Sequence, residues 1–154
     1  IAECLVGSEM CIRDRLLDGI KPICAFLIIY YLFPEHYLKY KYLIFLFSII
    51  GHIFPIWLYF KGGKGVACFF GANLFLTPIP TILAMILWFF TVKITKLSSL
   101  GALLSIFLLT IYQLIFIYGN LEKGIVFIIF LLIFFKHSSN IKRLIKGEEN
   151  KINL

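Results

Sequence analysis

The feature that most constrains this chain is a succession of apolar segments separated by charged or turn-forming residues. Six such segments follow one another, at 20–33, 42–60, 66–77, 79–92, 97–118 and 124–135. Of 154 residues, 61% are hydrophobic and 15% are charged, whereas average soluble domains carry about 25% charged residues. A soluble domain of this size could not bury so much apolar surface. The sequence therefore predicts an all-α, polytopic membrane protein with about six transmembrane or half-length helices.

The lengths of the segments predict how they cross the membrane. A helix rises about 1.5 Å per residue, so a hydrocarbon core about 30 Å thick needs about 20 residues. Only 42–60 and 97–118 are comfortably long, and the others need tilt, local thinning or burial against neighbours. Between 66 and 92, Pro78 and Pro80 remove two amide donors and disfavour helix in the residue before each. Two short helices are therefore favoured there over one long helix.

The basic residues indicate the orientation of the segments. With six spans and an inside start, the inside loops hold ten Lys or Arg residues and the outside loops hold three. Five spans with the opposite start give nine against four, so the positive-inside rule favours six. The net charge of +7 is therefore interpreted first as topology determinants and lipid head-group contacts, and no nucleic acid partner is expected.

The first fifteen residues differ in composition from the rest. They mix acidic and basic side chains and lack the apolar core of a signal peptide. Residues 6–15, VGSEMCIRDR, resemble the translated adapter tail found at the ends of assembled metagenomic reading frames. We therefore expect 1–15 to be a non-native leader and 16–154 to form a single integral-membrane domain. An ordinary polar N-terminal tail is the alternative.

A glycine- and lysine-rich loop lies between two apolar segments, directly before a predicted helix start. It reads Lys61-Gly62-Gly63-Lys64-Gly65. Glycine lets successive amides turn toward one point, a helix N-terminus adds unpaired N–H groups, and lysine adds a full charge. Such a loop can form a phosphate cradle, although the GxxxxGK[ST] pattern of nucleoside triphosphatases is absent. A flexible loop whose lysines only set topology is the alternative.

Further polar residues lie at the ends of other segments. His137 and Asn140 share a helical face, and His137 can donate to phosphate or accept a proton; the basic residues after them can instead bind anionic lipid. Ser99, after Lys96, either caps a helix or points at a substrate. His52 lies within an apolar segment, where an ionisable group is costly. It is either functional or satisfied by a neighbouring carbonyl.

The cysteines and one acidic residue complete the inventory. The cysteines are Cys4, Cys11, Cys24 and Cys68. Their spacing fits neither a zinc site nor a disulfide framework, so we expect buried apolar thiols and no metal. Asp18 and Lys21 are three positions apart on one helical face and can form an ion pair.

The segment GHIFPIWLYFKGGKGVA, residues 51–67, resembles the PlsY family of acyl-phosphate:glycerol-3-phosphate acyltransferases of bacterial membranes. That family shows a near-identical GHxFPxxxxFKGGKGVA segment. The resemblance extends to Leu17-Asp18 with Lys21 and to Thr95-Lys96 with Ser99-Leu100. It also includes His137, Asn140, Ile141, Arg143, Leu144, Gly147, Glu149, Asn150 and Lys151.

The resemblance implies an activity and a location. The family transfers a fatty acyl group from acyl phosphate to the 1-hydroxyl of sn-glycerol 3-phosphate, giving lysophosphatidic acid and phosphate, the first step of phospholipid biosynthesis. It implies a multi-pass protein of the bacterial inner membrane whose active site faces the cytoplasm, with no cofactor. The family's first helix and the Ser/Gly/Asn-rich stretch after it, which supplies a Ser and an Arg, do not occur before Leu16.

The resemblance also implies roles for individual residues. The implied catalytic residues are Lys64, Ser99, His137 and Asn140, the phosphate-binding residues are Lys61, Gly62, Gly63, Lys64 and Gly65, and the supporting residues are His52, Lys96 and Glu149. His137 is the candidate general base, unless a substrate phosphate takes the proton. The partners are acyl phosphate, glycerol 3-phosphate and membrane lipid, and the sequence leaves the oligomeric state open. A small membrane transport or lipid-binding protein without chemistry is the alternative function.

Overall fold

The computed structural model describes residues 9–60 and 62–152, which fold into helices joined by short connections. The helices are α1 (Glu9–Leu32), α2 (Pro34–Ile53), α3 (Val66–Leu76), α4 (Pro78–Thr95), α5 (Ser98–Phe116), α6 (Asn120–Lys136) and α7 (Ser138–Lys146). A 3-10 turn, Ile56–Leu58, lies in the long connection between α2 and α3. The described residues contain no strand, and the predicted all-α fold class is confirmed.

Prolines mark two of the helix boundaries. Pro34 and Pro78 each occupy the first turn of a helix, α2 and α4, where the missing N–H would have no intrahelical partner in any case. Thr77 separates α3 from α4 as a non-helical residue. The prediction of two helices between residues 66 and 92, rather than one long helix, is therefore confirmed. The second is not short, however: α4 has 18 residues and includes Ile79, because Pro80 falls in its first turn, where proline is tolerated.

The first two helices begin earlier than the apolar pattern predicted. α1 begins at Glu9 rather than Ile20, and α2 begins at Pro34 rather than Tyr42 and ends at Ile53 rather than Phe60. Charged residues mark the edge of the apolar layer, but they do not end a helix, which continues wherever its backbone hydrogen bonds can form. Both helices therefore start among charged residues, as α2 does at Glu35.

Within the described ranges, two helices are individually long and apolar enough to cross a membrane, α4 and α5. A third candidate is α6 continued by α7 across a 58° bend. The prediction of a long span at 97–118 is confirmed by α5. The segment at 42–60 instead divides into α2 and the connection after it.

The helices pack around an aromatic and aliphatic centre. Its fully buried side chains include Phe26, Phe45, Ile49, Phe69, Ile129 and Ile133. α1 packs against α2 and α3, α4 against α5, and α6 against α5 and α2. Many large apolar side chains on the outer helix faces are exposed, as a lipid-facing surface requires. Cys68 is buried as expected, but Cys24 is exposed because it lies on the outer face of α1.

Two close contacts fix α3 within this bundle. A Cβ on Gly71 would overlap the backbone of Gly19, so α1 and α3 meet with almost no side chain between them. Deeper in the bundle, Gln113 Nε2 of α5 donates a 2.7 Å hydrogen bond to Asn73 Oδ1 of α3, and both side chains are fully buried. The orientation of α3 matters because the glycine-rich loop leads directly into its first turn.

Candidate active site

The glycine-rich loop is shaped by close backbone contacts. Gly62 N donates to Ile53 O at 3.3 Å, and a Cβ on Gly62 would lie 2.7 Å from that same oxygen. Gly65 has φ +84° and is the N-cap of α3, a left-handed conformation that favours glycine. The residues at these positions therefore bring the loop tightly against the end of α2 and turn it into the first amides of α3.

Lys64 lies between these turns, exposed at the rim of a cavity. Partial burial lowers the pKa of Lys64, Arg143 acts in the same direction, and Glu149 opposes them. The N-terminal amides of α3 lie beside it, and a helix N-terminus carries a partial positive charge. The loop thus combines an ammonium group with unpaired backbone donors, which suits an anion.

Glu149 is the centre of a hydrogen-bond cluster opposite the loop. Its Oε1 accepts hydrogen bonds from Ser99 Oγ at 2.6 Å and from Asn140 Nδ2 at 2.6 Å, and its Oε2 accepts one from Arg143 Nε at 2.7 Å. Burial alone would raise the pKa of Glu149, but these three donors outweigh it and hold the pKa below its usual value of 4.5. A carboxylate therefore joins α5, α7 and the C-terminal segment.

Ser99 does not cap its helix. The N-cap of α5 is Leu97, with no side-chain cap hydrogen bond, and the Ser99 hydroxyl donates to Glu149 instead. The C-terminal segment is held there a second time, because Ile152 N donates to Lys96 O at 2.8 Å. Lys96 itself is exposed with φ +61° and contributes its carbonyl, rather than its ammonium group, to this arrangement.

His137 lies between α6 and α7 with its side chain buried. Its Nδ1 lies 2.8 Å from Ile133 O, and because a carbonyl only accepts, Nδ1 carries the proton and Nε2 has a free lone pair. Burial lowers the pKa of His137 from 6.5 and Lys64 adds to this, whereas the Ile133 hydrogen bond and Glu149 oppose it. His137 is therefore neutral at pH 7, with Nε2 able to accept a proton.

A further pair of helices contributes polar groups beside the loop. Asp18 Oδ1 accepts a 2.7 Å hydrogen bond from Lys21 Nζ, which confirms the predicted ion pair on α1. The same oxygen lies 3.5 Å from His52 Nδ1 on α2. His52 thus faces a carboxylate on one side, not a neighbouring carbonyl, and its ring packs against Gly63 on the other.

One cavity of about 480 Å³ collects most of the predicted site residues. Those lining it are His52, Gly63, Lys64, Gly65, Ser99, His137, Asn140 and Glu149. Gly62 lines an adjoining cavity, Lys96 lines neither, and Lys61 falls outside the described residues. Within those residues, no group of three or more His, Cys, Asp or Glu side chains could hold a metal ion.

The sequence did not indicate site roles for three charged residues that line the cavity, Arg15, Asp18 and Arg143. Arg15 was attributed to a non-native leader, and that attribution stays a prediction. Asp18 was interpreted only as the partner of Lys21. Arg143 had a usable signal, since it lies three positions after Asn140 and therefore on the same face of α7.

The comparisons with known proteins agree with one another. A glycerol-3-phosphate acyltransferase family profile matches residues 4–147. The chain is 40% identical over 153 residues to "Glycerol-3-phosphate acyltransferase" of Ruthia magnifica, covering 96% of this chain and 75% of the relative. It is 44% identical over 108 residues to the protein of that name in Finegoldia magna, covering 70% of this chain but 54% of the relative.

Solved structures show the same fold. The crystal structure of PlsY, an integral membrane glycerol 3-phosphate acyltransferase, in its glycerol 3-phosphate form gives a TM-score of 0.81 at 22% identity, covering 96% of this chain and 74% of that one. Its lysophosphatidic acid form gives 0.81 at 24%. At these identities the structures establish an integral-membrane fold, and the profile and relatives establish the family. The chain belongs to the glycerol-3-phosphate acyltransferase family.

Proposed function

We propose that this chain transfers a fatty acyl group from acyl phosphate to the 1-hydroxyl of glycerol 3-phosphate. The observation that carries the proposal is the single cavity in which the Lys64 loop faces His137. The hydroxyl oxygen attacks the acyl carbon, the bond from that carbon to the phosphate oxygen breaks, and inorganic phosphate leaves. The hydroxyl proton passes to a base, and the product is 1-acylglycerol 3-phosphate.

Phosphate recognition falls to the glycine-rich loop in this proposal. Lys64 supplies charge, while Gly62, Gly63 and Gly65 allow the loop amides to approach the phosphate oxygens. Charge-assisted hydrogen bonds of this kind are stronger than neutral ones. As negative charge develops on the leaving phosphate, the same donors stabilise the transition state more than the ground state. Lys61 is assigned to this group as a prediction from the sequence.

His137 is the proposed general base, because its Nε2 is unprotonated and the residue lines the cavity. Asn140 also lines the cavity and is assigned to the site beside His137; its Nδ2 donates to Glu149, and its Oδ1 is buried without a hydrogen-bond partner among the described residues. Ser99 stays available as an acceptor while it donates to Glu149. A substrate phosphate is the alternative proton acceptor, and no acyl-enzyme is required in either case.

His52, Lys96 and Glu149 act as supporting residues in this proposal. Glu149 holds Ser99 and Asn140 on one carboxylate oxygen. Lys96 holds the C-terminal segment through its carbonyl. These contacts orient the groups that bind the substrate before it arrives, so less conformational entropy is lost when the transition state forms.

The proposed location is the bacterial inner membrane, with the site on the cytoplasmic side. The glycine-rich loop, the turn between α4 and α5, and α7 all contribute to one cavity, which requires them to lie at the same end of the bundle. The loops at that end carry most of the basic residues. The positive-inside rule places such an end in the cytoplasm.

Acyl transfer by the purified chain tests the proposal. The chain is incubated with acyl phosphate and labelled glycerol 3-phosphate, and we expect labelled lysophosphatidic acid with one phosphate released per product. A transport protein would instead move label into vesicles without changing it, and a lipid-binding protein would do neither. Product that forms equally with Lys64→Ala and His137→Ala variants would come from another source and would contradict the proposal.

A further inference from the structure

His52 touches the glycine-rich loop without belonging to it. A Cβ built on Gly63 would overlap His52 Nε2 and lie 3.1 Å from Cε1. The ring thus fills the space in which any larger residue at position 63 would place its side chain. Gly63 is exposed, and both Gly63 and His52 line the cavity, so the ring packs against the loop at the edge of the site itself.

The ring itself is held in place. The His52 side chain is 11% exposed, and its Nδ1 lies 3.5 Å from Asp18 Oδ1. Asp18 is oriented in turn by Lys21, whose Nζ donates to the same oxygen at 2.7 Å. At 3.5 Å this is a polar contact and not a hydrogen bond, so the ring is held mainly by its burial, with Asp18 as a polar neighbour.

We propose that His52 is a positioning residue that sets the path of the glycine-rich loop, through the contact of its ring with Gly63. The inference rests on the proposed function of that loop in binding phosphate. The proposed role of His52 requires no contact with the reacting atoms. Its ring fixes the positions of the Gly63 and Lys64 backbone amides. Loss of the ring should therefore affect phosphate binding more than the rate of the chemical step.

A double-substitution experiment separates this from general packing. Gly63→Ala should weaken inorganic phosphate binding and raise the KM for glycerol 3-phosphate by about 10-fold, because a methyl group forced against a held ring is overpacked. With His52→Ala already present, the added effect of Gly63→Ala should fall below about 3-fold, since the ring is gone. The kcat should change much less than KM.

Two controls make the test specific. Gly62→Ala collides with the backbone oxygens of His52 and Ile53, so its penalty should be the same with and without His52→Ala. His52→Phe keeps a ring of similar size and should not relieve Gly63→Ala. The melting temperature of each purified variant should show the same pattern in the absence of ligand.

The outcomes distinguish this inference from the proposed function. A wild-type chain that binds phosphate but makes no lysophosphatidic acid refutes the transfer activity, while the phosphate affinities still report on His52. An equal effect of Gly63→Ala in both backgrounds, a harmless Gly63→Ala, or a wild-type loop that binds no phosphate would each overturn the positioning role.

Discussion

Ser99 and Glu149 lie 50 positions apart in the chain and are joined by a 2.6 Å hydrogen bond from the hydroxyl to the carboxylate. The same carboxylate also accepts from Asn140 and Arg143. The start of α5 and two residues of α7 therefore meet at one acidic side chain, which is 8% exposed. Two residues that the sequence assigned to catalysis, Ser99 and Asn140, owe their orientation to this carboxylate.

Replacing Glu149 with Gln should lower the free energy of unfolding. The change removes the charge from an acceptor of three hydrogen bonds, and hydrogen bonds to charged groups are worth about 1.5–3 kcal/mol each at well-buried sites. The amide oxygen of Gln can still accept from Ser99 and Asn140, so the main loss is the single bond from Arg143; because Arg143 is 42% exposed, we expect about 1–2 kcal/mol in total. Thermal unfolding in detergent measures it, with exposed Glu148→Gln as the matched control. Equal melting temperatures for the two variants would contradict the prediction.

The same carboxylate predicts an acid-dependent loss of stability. The pKa of Glu149 is lower in the folded chain than its usual 4.5. A lowered carboxyl pKa contributes stability above the unfolded-state value, and that contribution disappears as pH falls through the folded-state value. Wild-type stability should therefore decline more steeply than that of Glu149→Gln below pH 4.5. Parallel melting curves for both proteins across that range would refute the assignment.

Replacing Lys64 with Ala should reduce acyl transfer by at least about 10-fold to 100-fold, because a charge-assisted hydrogen bond to phosphate is lost. Lys64→Arg keeps the charge but carries a larger planar head, so it should also be impaired in this tight loop. Lys61→Ala should be milder, and exposed Lys93→Ala should have little effect. The measurement is transfer rate at equal amounts of folded protein. Near-normal activity in Lys64→Ala would contradict phosphate binding by the loop and favour the alternative, in which its lysines only set the membrane topology.

The pH profile of transfer should report on His137. A base must be deprotonated, and burial places the pKa of His137 below 6.5, so the rate should be flat from about pH 7 upward and fall only at lower pH. His137→Ala should lose about 100-fold or more, whereas exposed His36→Ala should not. A His137→Ala variant that keeps most of the rate and the same profile would identify the substrate phosphate as the base.

Membrane orientation can be tested by labelling single cysteines from either side of right-side-out vesicles, after the native cysteines are replaced. Probes at exposed Lys93 and Lys142 should label only from the cytoplasmic side. A probe at Tyr118, which is fully exposed after α5, should label only from outside. If Lys93 and Lys142 react from opposite sides, the shared site and the six-span topology both fail.

The sequence predicted most of the helices because their boundaries depend on local chemistry. Pro78 disfavours helical geometry at Thr77, the residue before it, so the break after α3 was visible. The beginning of α2 could not be predicted in this way. Lys39 and Lys41 are typical of a loop between apolar segments, yet the backbone is helical at both. Hydrophobicity identifies the apolar layer, and a helix can extend well beyond it.

The site divides in the same way. The glycine-rich loop was readable because its residues are contiguous, and the structure places Lys64 and Gly65 on the cavity. The role of Glu149 as a shared acceptor was not, because it depends on the chain turning back after Gly147, at φ +71°, until Ile152 meets Lys96. Arg15 and Asp18 were missed for a different reason, since their contribution depends on how α1 packs against α3.

At the contact between Gly71 and Gly19, the two helices differ in whether they can accept a larger residue. A methyl group on Gly19 would meet only Ala67 O, at an ordinary 3.4 Å, whereas one on Gly71 would run into the opposing main chain. At this crossing, a small side chain can therefore replace Gly19 on α1, but none can replace Gly71 on α3 without moving a helix. Gly71→Ala would therefore push α3 away from α1 and shift the glycine-rich loop that leads into α3.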